Sequence, residues 1–575
     1  MRHSFAHRAG HHLLLIAVAV AVVFPFLGST SLWDDDEGVN AECAREMREA
    51  GTWVVPTFNW DLRTAKPVFL YWLMRFSYAA FGESEWSARL PSALLTVGTV
   101  LLVYELGRRM FDAATGLLAG VVAVTSLEVC KLAHAATPDA TLLFFTVLYF
   151  HCFWLGTANG GRGWFVPCGI ASGLAFLTKG PVGLVLPSAV VVGWFAWNRE
   201  LRRLLDRRML WGMLAWTLVA VPWYALVTAE TKGEWLRTFF LRENLGRTAE
   251  PMENHRGPVV YYLIAVCAFF APWSAFLYAS VRDGIRAPCG RGDDDSLPRR
   301  ERSEPSPERF LLLWVGAYFL AFSVVATKLP HYIAPAYPAL ALLTARFLVR
   351  WARGETTPPR WVLPAGIAGV AVTGLSVTLG LLVAGGAIPL PMPADQFRAF
   401  PGLAAWAWIG AFPLLGAAAM AAFLRRGNRP AVVVSLAAST VLFVGLTAAF
   451  PLAVVDQFKA TKELVALSGA RQLDRDVRVG SLDFSQPSLT YYVGRKVDRL
   501  TVSVAVPEAD RERHLIGLVA DYLDRPEPSF LFVPEPTWRR LEAAVRPGVG
   551  GRLTEVAAKY DFARHAVILV LWNGR

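Results

Sequence analysis

Charge is what this chain has least of. Asp, Glu, Lys and Arg make up 18% of its 575 residues against 54% hydrophobic residues, and the mean hydropathy is +0.38. A soluble domain carries roughly 25% charged residues, so a water-soluble globule is excluded: it could not cover its apolar mass. Close cysteine pairs are lacking too. Cys152, Cys168 and Cys267 sit inside apolar runs, and neither a disulfide framework nor a metal-ligand spacing can be read from the six cysteines. The first apolar run, Leu13 to Leu27, lacks a small-residue cleavage site and is followed by Trp33-Asp34-Asp35-Asp36-Glu37, so it reads as an uncleaved first span. The tail has no Gly-rich phosphate loop; Gly548-Val549-Gly550-Gly551 reads as a turn.

What is present is a series of apolar runs about 18–25 residues long, the length a helix needs to cross a bilayer. About thirteen spans are expected, near 13–30, 86–106, 113–131, 138–157, 164–179, 181–198, 209–229, 258–281, 309–327, 332–350, 361–386, 402–424 and 430–454. The fifth and sixth are short and broken at Lys179-Gly180-Pro181, which suggests helices that stop inside protein rather than in lipid. The net charge of +11 sits mostly on Arg in alternate loops, including Arg108-Arg109, Arg199 with Arg202-Arg203, and Arg425-Arg426 with Arg429. That is a topology signal, with the N-terminus inside and the C-terminus outside, and it gives no reason to invoke nucleic acid.

The expected fold class is an all-α polytopic membrane protein with a small C-terminal α/β extracytoplasmic domain. The membrane domain covers 1–457, with external juxtamembrane helices at about 37–81 and a disordered cytoplasmic loop at 282–309 that contains Asp293-Asp294-Asp295. Residues 458–575 alternate strand-like stretches (Val477 to Phe484, Leu500 to Val506, Phe530 to Val533, Ala566 to Leu571) with helical ones (Arg511 to Leu523, Trp538 to Val545).

The unusual polar residues converge on one side of the membrane. They are Asp34 to Glu37, Lys66, Asp139, Lys179, Glu243-Asn244, Arg247, His255-Arg256, Lys328 and His331-Tyr332. Ionisable groups at bilayer depth are costly, so they pair with one another or serve a function. Carboxylates at Asp36 and Asp139 can accept protons, while Lys66, Arg247, Arg256 and Lys328 can neutralise a phosphate. Each has a bland alternative: Asp139 can cap a helix, Lys66 can snorkel, and His255 and His331 can bond neighbouring carbonyls. The one-sided convergence carries the reading.

The motifs Asp36-Glu37, Lys66-Pro67-Val68, Ala88-Arg89-Leu90-Pro91, Pro138-Asp139, Thr178-Lys179-Gly180-Pro181, Asn244 with Arg247, His255-Arg256-Gly257-Pro258 and Lys328-Leu329-Pro330-His331-Tyr332 follow one another over about residues 10–350. Their set resembles the bacterial lipid A aminoarabinose transferases and the related protein O-mannosyltransferases. The resemblance implies a GT-C glycosyltransferase in a bacterial inner membrane, taking a sugar from a polyprenyl phosphate at the external face. It implies catalytic roles for Asp36, Glu37 and Asp139. Substrate contacts are expected from Lys66, Lys179, Arg247, His255, Arg256, Lys328, His331 and Tyr332. In the aminoarabinose transferases a glutamate precedes the lysine and, with the histidine matching His255, can hold a metal ion. Here that position is Ala65, which puts that metal site in doubt and argues against simple identity with the aminoarabinose enzyme; no cofactor is expected, and a divalent metal is the alternative. The expected partners are the lipid-linked donor and a lipid, glycan or protein acceptor. The alternative is a lipid-linked sugar transporter or flippase, against which stand the lack of an internal repeat and the placement of charge at the external boundary.

Overall fold

The computed structural model describes residues 2–157, 164–246, 257–287, 306–391, 398–471, 476–503, 506–549 and 553–574. Apolar runs fold as helices because their backbone groups must be bonded internally where water is absent. Eight helices among the described residues are long and apolar enough to cross a membrane, and up to ten spans result if each of two bent pairs counts as one. Arg8–Val23, Phe165–Lys179 and Val182–Trp197 are apolar but shorter.

The helices α1 (Arg2–Val23), α2 (Val39–Glu49), α3 (Phe69–Phe81), α4 (Glu85–Met110), α5 (Ala113–Val124), α6 (Leu127–Ala133), α7 (Pro138–Thr157), α8 (Phe165–Lys179), α9 (Val182–Trp197) and α10 (Arg207–Glu230) follow in order. Two expected spans are broken. Helices α5 and α6 meet at 65°, where the hydroxyls of Thr125 and Ser126 donate to the carbonyls of Val121 and Val122 and compete with the helix ladder. The straight span expected over 258–281 is two helices, Tyr261–Phe269 and Trp273–Arg286, bent by 114° about a break that contains Pro272, which has no N–H to continue the ladder.

Helices α2 and α3 are joined by a short hairpin, β1 (Thr57–Phe58) with β2 (Asp61–Leu62). Their expected place at the lipid surface needs correction for α2, which is buried from Val39 to Met47. It packs between α3 and the Pro487–Val493 helix of the tail. A Cβ on Gly38 would stand 2.7 Å from the Ser488 nitrogen, so only glycine permits that approach.

The tail forms one sheet in the order β4-β3-β5-β7-β6, built from β3 (Arg478–Ser481), β4 (Val497–Arg499), β5 (Ser529–Pro534), β6 (Thr554–Asp561) and β7 (Ala566–Trp572). Strand β3 runs parallel to β4 and β5, and β7 antiparallel to β5 and β6. The strand expected at Leu500 to Val506 lies earlier, at β4, and β6 is an unexpected edge strand. Alternation along β5 sends Phe530 and Phe532 to one face and Leu531 and Val533 to the other. The first pair shares a core with Met47, Tyr71 and Met74 of the platform, and the second packs with Leu523 and Trp538. The tail is therefore seated on α2 and α3 by a common apolar core.

Candidate active site

Helix ends bring the polar residues together. Asp139 stands in the first turn of α7, and Lys179 is the last residue of α8. Each charge is at the helix end whose dipole favours it. Gly180 closes α8 at φ +69°, and a Cβ there would meet the Phe239 ring at 2.5 Å. The chain thus turns sharply under Phe239 and aims Lys179 at Asp139. Its ammonium lies 2.5 Å from Asp139 Oδ1 and 5.0 Å from the centre of the Tyr332 ring. His331 stacks edge-on against Tyr332 at 5.0 Å.

This pair opens into a cavity of about 490 Å³ lined by Ala65, Lys66, Asp139, Lys179, Glu243, Asn244, His331 and Tyr332, with walls that include Leu142, Leu186, Phe240 and Phe322. Lys66 and His331 are close enough to act on Asp139 electrostatically, and Asp36 acts in the same way on Lys179 and His331. The Asp36 side chain itself is exposed. Two π-helical stretches serve the site, Asp34–Gly38, which carries Asp36, and Phe239–Gly246, which carries Glu243 and Asn244. Such irregular turns recur at functional sites. A half-open, largely apolar cleft with convergent charges suits a ligand that is part hydrocarbon and part anion.

Glu37 does not share the cavity. Its carboxylate is 2% exposed and accepts from Arg89 Nε at 2.8 Å and Nη2 at 2.7 Å, and from the backbone N–H of Trp33 at 2.8 Å and Ala136 at 2.7 Å. Burial alone would push its pKa up; the Arg89 guanidinium and the two N–H donors outweigh burial and hold it below the usual glutamate value. Arg89, itself 1% exposed, also donates to the carbonyls of Leu27, Thr30 and Ser31. The expected catalytic glutamate is therefore a tie-bar. It fastens the turn that carries Asp36 to the loop just before Asp139. Asn40 adds a second tie to that loop by donating to Ala136 O at 3.1 Å.

Lys328 is also placed elsewhere. Its ammonium donates to the carbonyls of Phe322, Ser323 and Val325 at 2.8–3.2 Å, closing the C-terminal end of the Pro307–Val324 helix. Arg247, His255 and Arg256 lie outside the described residues, as do Asp293 to Asp295. Sequence reasoning assigns Arg89 no role, although a buried arginine near the start of a span demands a carboxylate partner. It also passes over Glu128 and Lys131, an ion pair at 2.8 Å on α6 whose lysine acts on His331. At the position before Lys66, Ala65 brings a methyl group and no carboxylate into the cavity. Among the described residues, which do not include His255, no three His, Cys, Asp or Glu gather as a metal site.

A family model described as dolichyl-phosphate-mannose-protein mannosyltransferase matches residues 65–225. The undecaprenyl phosphate-alpha-4-amino-4-deoxy-L-arabinose arabinosyl transferase of Pseudomonas paraeruginosa is 32% identical over 472 residues, 80% of each chain. The protein of the same description from Edwardsiella ictaluri is 31% identical over 347 residues, and the match spans 60% of that relative's length. The crystal structure of ArnT from Cupriavidus metallidurans bound to undecaprenyl phosphate superposes with a TM-score of 0.78 at 26% identity, covering 98% of this chain and 97% of that one.

Proposed function

This chain belongs to the family of the undecaprenyl-phosphate aminoarabinose arabinosyl transferases, multi-pass membrane glycosyltransferases of the GT-C superfamily, and from that premise we propose that it moves a sugar from a polyprenyl phosphate to an acceptor outside the cell. The acceptor is lipid A, another envelope glycan or a protein hydroxyl. The observation that carries this reading is the Asp139–Lys179 pair set in an apolar-walled cavity beside Lys66, within electrostatic reach of Asp36.

In the proposed reaction the acceptor oxygen bonds to the anomeric carbon as the bond from that carbon to the phosphate oxygen breaks. Asp36 takes the acceptor's proton, and the electron pair stays with the polyprenyl phosphate, which leaves as a monoester dianion. Lys66 and Lys179 face the charge that develops there, a fixed cationic environment in a site poor in water. Asp139 holds Lys179 in position while two of the ammonium's three donors remain for phosphate. Direct displacement of this kind inverts the anomeric carbon. Glu37 and Arg89 act as positioning residues for the segments that carry Asp36 and Asp139.

The same reading has all thirteen apolar segments cross the inner membrane, the two bent pairs and the three shorter helices included. The arginine-rich ends of the bundle then face the cytoplasm, and the cavity and the tail face outward. Purified protein in lipid, given a labelled polyprenyl-phosphate sugar and candidate acceptors, tests the proposal. Label passing to an acceptor supports it. Label that stays on the lipid for a panel of donors, yet moves between leaflets, makes the protein a transporter.

A further inference from the structure

The 16-residue helix Tyr337–Ala352 starts beside His331 and Tyr332 and ends roughly 24 Å away, at 1.5 Å per residue, at the far end of the bundle. A second cavity, of about 300 Å³, opens there between the 353–361 loop and the ends of the flanking helices. Trp351, Leu363 and Leu424 form its apolar wall, Thr357 lines it, and Arg360 and Arg429 bring two guanidinium groups to it.

Neighbouring arginines are already neutralised. Arg350 pairs with Asp283 at 2.8 Å, and Arg353 pairs with Asp112 at 2.9 Å. Arg360 and Arg429 form no ion pair among the described residues. Arg429 bonds the Trp351 carbonyl through Nη1 at 3.2 Å and lies 5.8 Å from the Trp351 ring centre. A guanidinium has five N–H donors, so most of these remain for an anion. Two such forks match the tetrahedral oxygens of a phosphate better than a single carboxylate.

The cavity also sits at a membrane boundary. Exposed Trp361 packs on Tyr278 at 5.2 Å beside it, as aromatic residues do at the headgroup level. From the cavity wall the Val362–Ala384 helix runs on with Val372, Leu375 and Leu379 exposed by 44–59%, an apolar track leading away from the two arginines. A phosphate site continuous with such a track has the shape of an anionic lipid, headgroup first and acyl chains after it.

We propose that this cavity binds the phosphate of an anionic phospholipid in the leaflet opposite the transfer site, with the acyl chains lying along Val362–Ala384. The test is native mass spectrometry and thermal unfolding of the purified full chain with added phosphatidylglycerol, or phosphatidylcholine of the same acyl chains. Phosphatidylglycerol is expected to bind more tightly, and Arg360→Gln/Arg429→Gln to weaken it by about 30-fold, near 2 kcal/mol, at about 1 kcal/mol for each arginine. Thr357→Trp, which obstructs the cavity and leaves both arginines in place, gives the same loss, whereas Arg425→Gln/Arg426→Gln, outside the lining, does not. Equal binding of the two lipids, or tight phosphatidylglycerol binding by both the double and the Trp variants, overturns the proposal. So does equal stabilisation by inorganic phosphate alone through the same two arginines, which would make this a free-phosphate site.

Discussion

Removing Arg89 strands a charge. In Arg89→Met the Glu37 carboxylate stays buried under α4 and keeps only the two backbone donors, from Trp33 and Ala136. It loses two charge-assisted bonds of 2.7–2.8 Å, and three carbonyls lose a donor. Breaking one side of a buried pair costs about 3–5 kcal/mol, most of it the stranded charge. Glu37→Gln keeps one accepting oxygen but sets its NH₂ against two donors and leaves the Arg89 charge buried without a carboxylate, so it is expected to cost about 3–5 kcal/mol as well. The double variant Glu37→Gln/Arg89→Met relieves the stranded charge, so its cost falls below the sum of the two by about 1–3 kcal/mol. Reversible unfolding of the protein in mixed micelles by SDS titration measures all three. A cost below about 1 kcal/mol for Arg89→Met, or strict additivity in the cycle, would refute the tie-bar role.

The same carboxylate sets an acid limit. Its folded pKa is depressed below the ordinary 4.5, so its contribution to stability is fully present above that value and fades as pH falls through the folded pKa. Unfolding measured from pH 7 to pH 3 should show that loss, and Glu37→Gln should flatten it. Gly180→Ala must place a Cβ at φ +69° against the Phe239 ring, so about 1–2 kcal/mol of stability is lost and Lys179 shifts from Asp139; transfer falls with it, and a variant of unchanged stability and rate would show that the turn tolerates a side chain. Lys66→Ala should slow transfer by about 10²–10³-fold, the usual scale for one electrostatic group facing developing charge; single-turnover rates measure it.

Much of this site is legible in the order of residues along the chain. Loop position and charge type suffice for Lys66, Asp139, Lys179, His331 and Tyr332, because ionic residues bordering apolar runs on one side of a membrane have few places to go. Glu37 and Lys328 show where that logic stops. Sequence spacing gives a carboxylate beside Asp36, but the two neighbours point differently from the π-helical turn, one outward and one onto Arg89. Lys328 follows a helix end whose open carbonyls capture it, a local bond that competes with any ligand. Helix α2 is legible as a helix beside the membrane, yet nothing in its sequence says that the tail covers it. Strand β6 escapes because it is an edge strand with one ladder partner and largely polar, half-exposed residues.

The central claim is that Asp36 acts on the acceptor while the cations across the cavity hold the donor phosphate. Asp36→Asn separates the two. Transfer from a labelled polyprenyl-phosphate sugar by this variant in lipid should fall at least about 10²-fold, with donor binding and unfolding unchanged. Transfer at the unmodified rate would contradict the account.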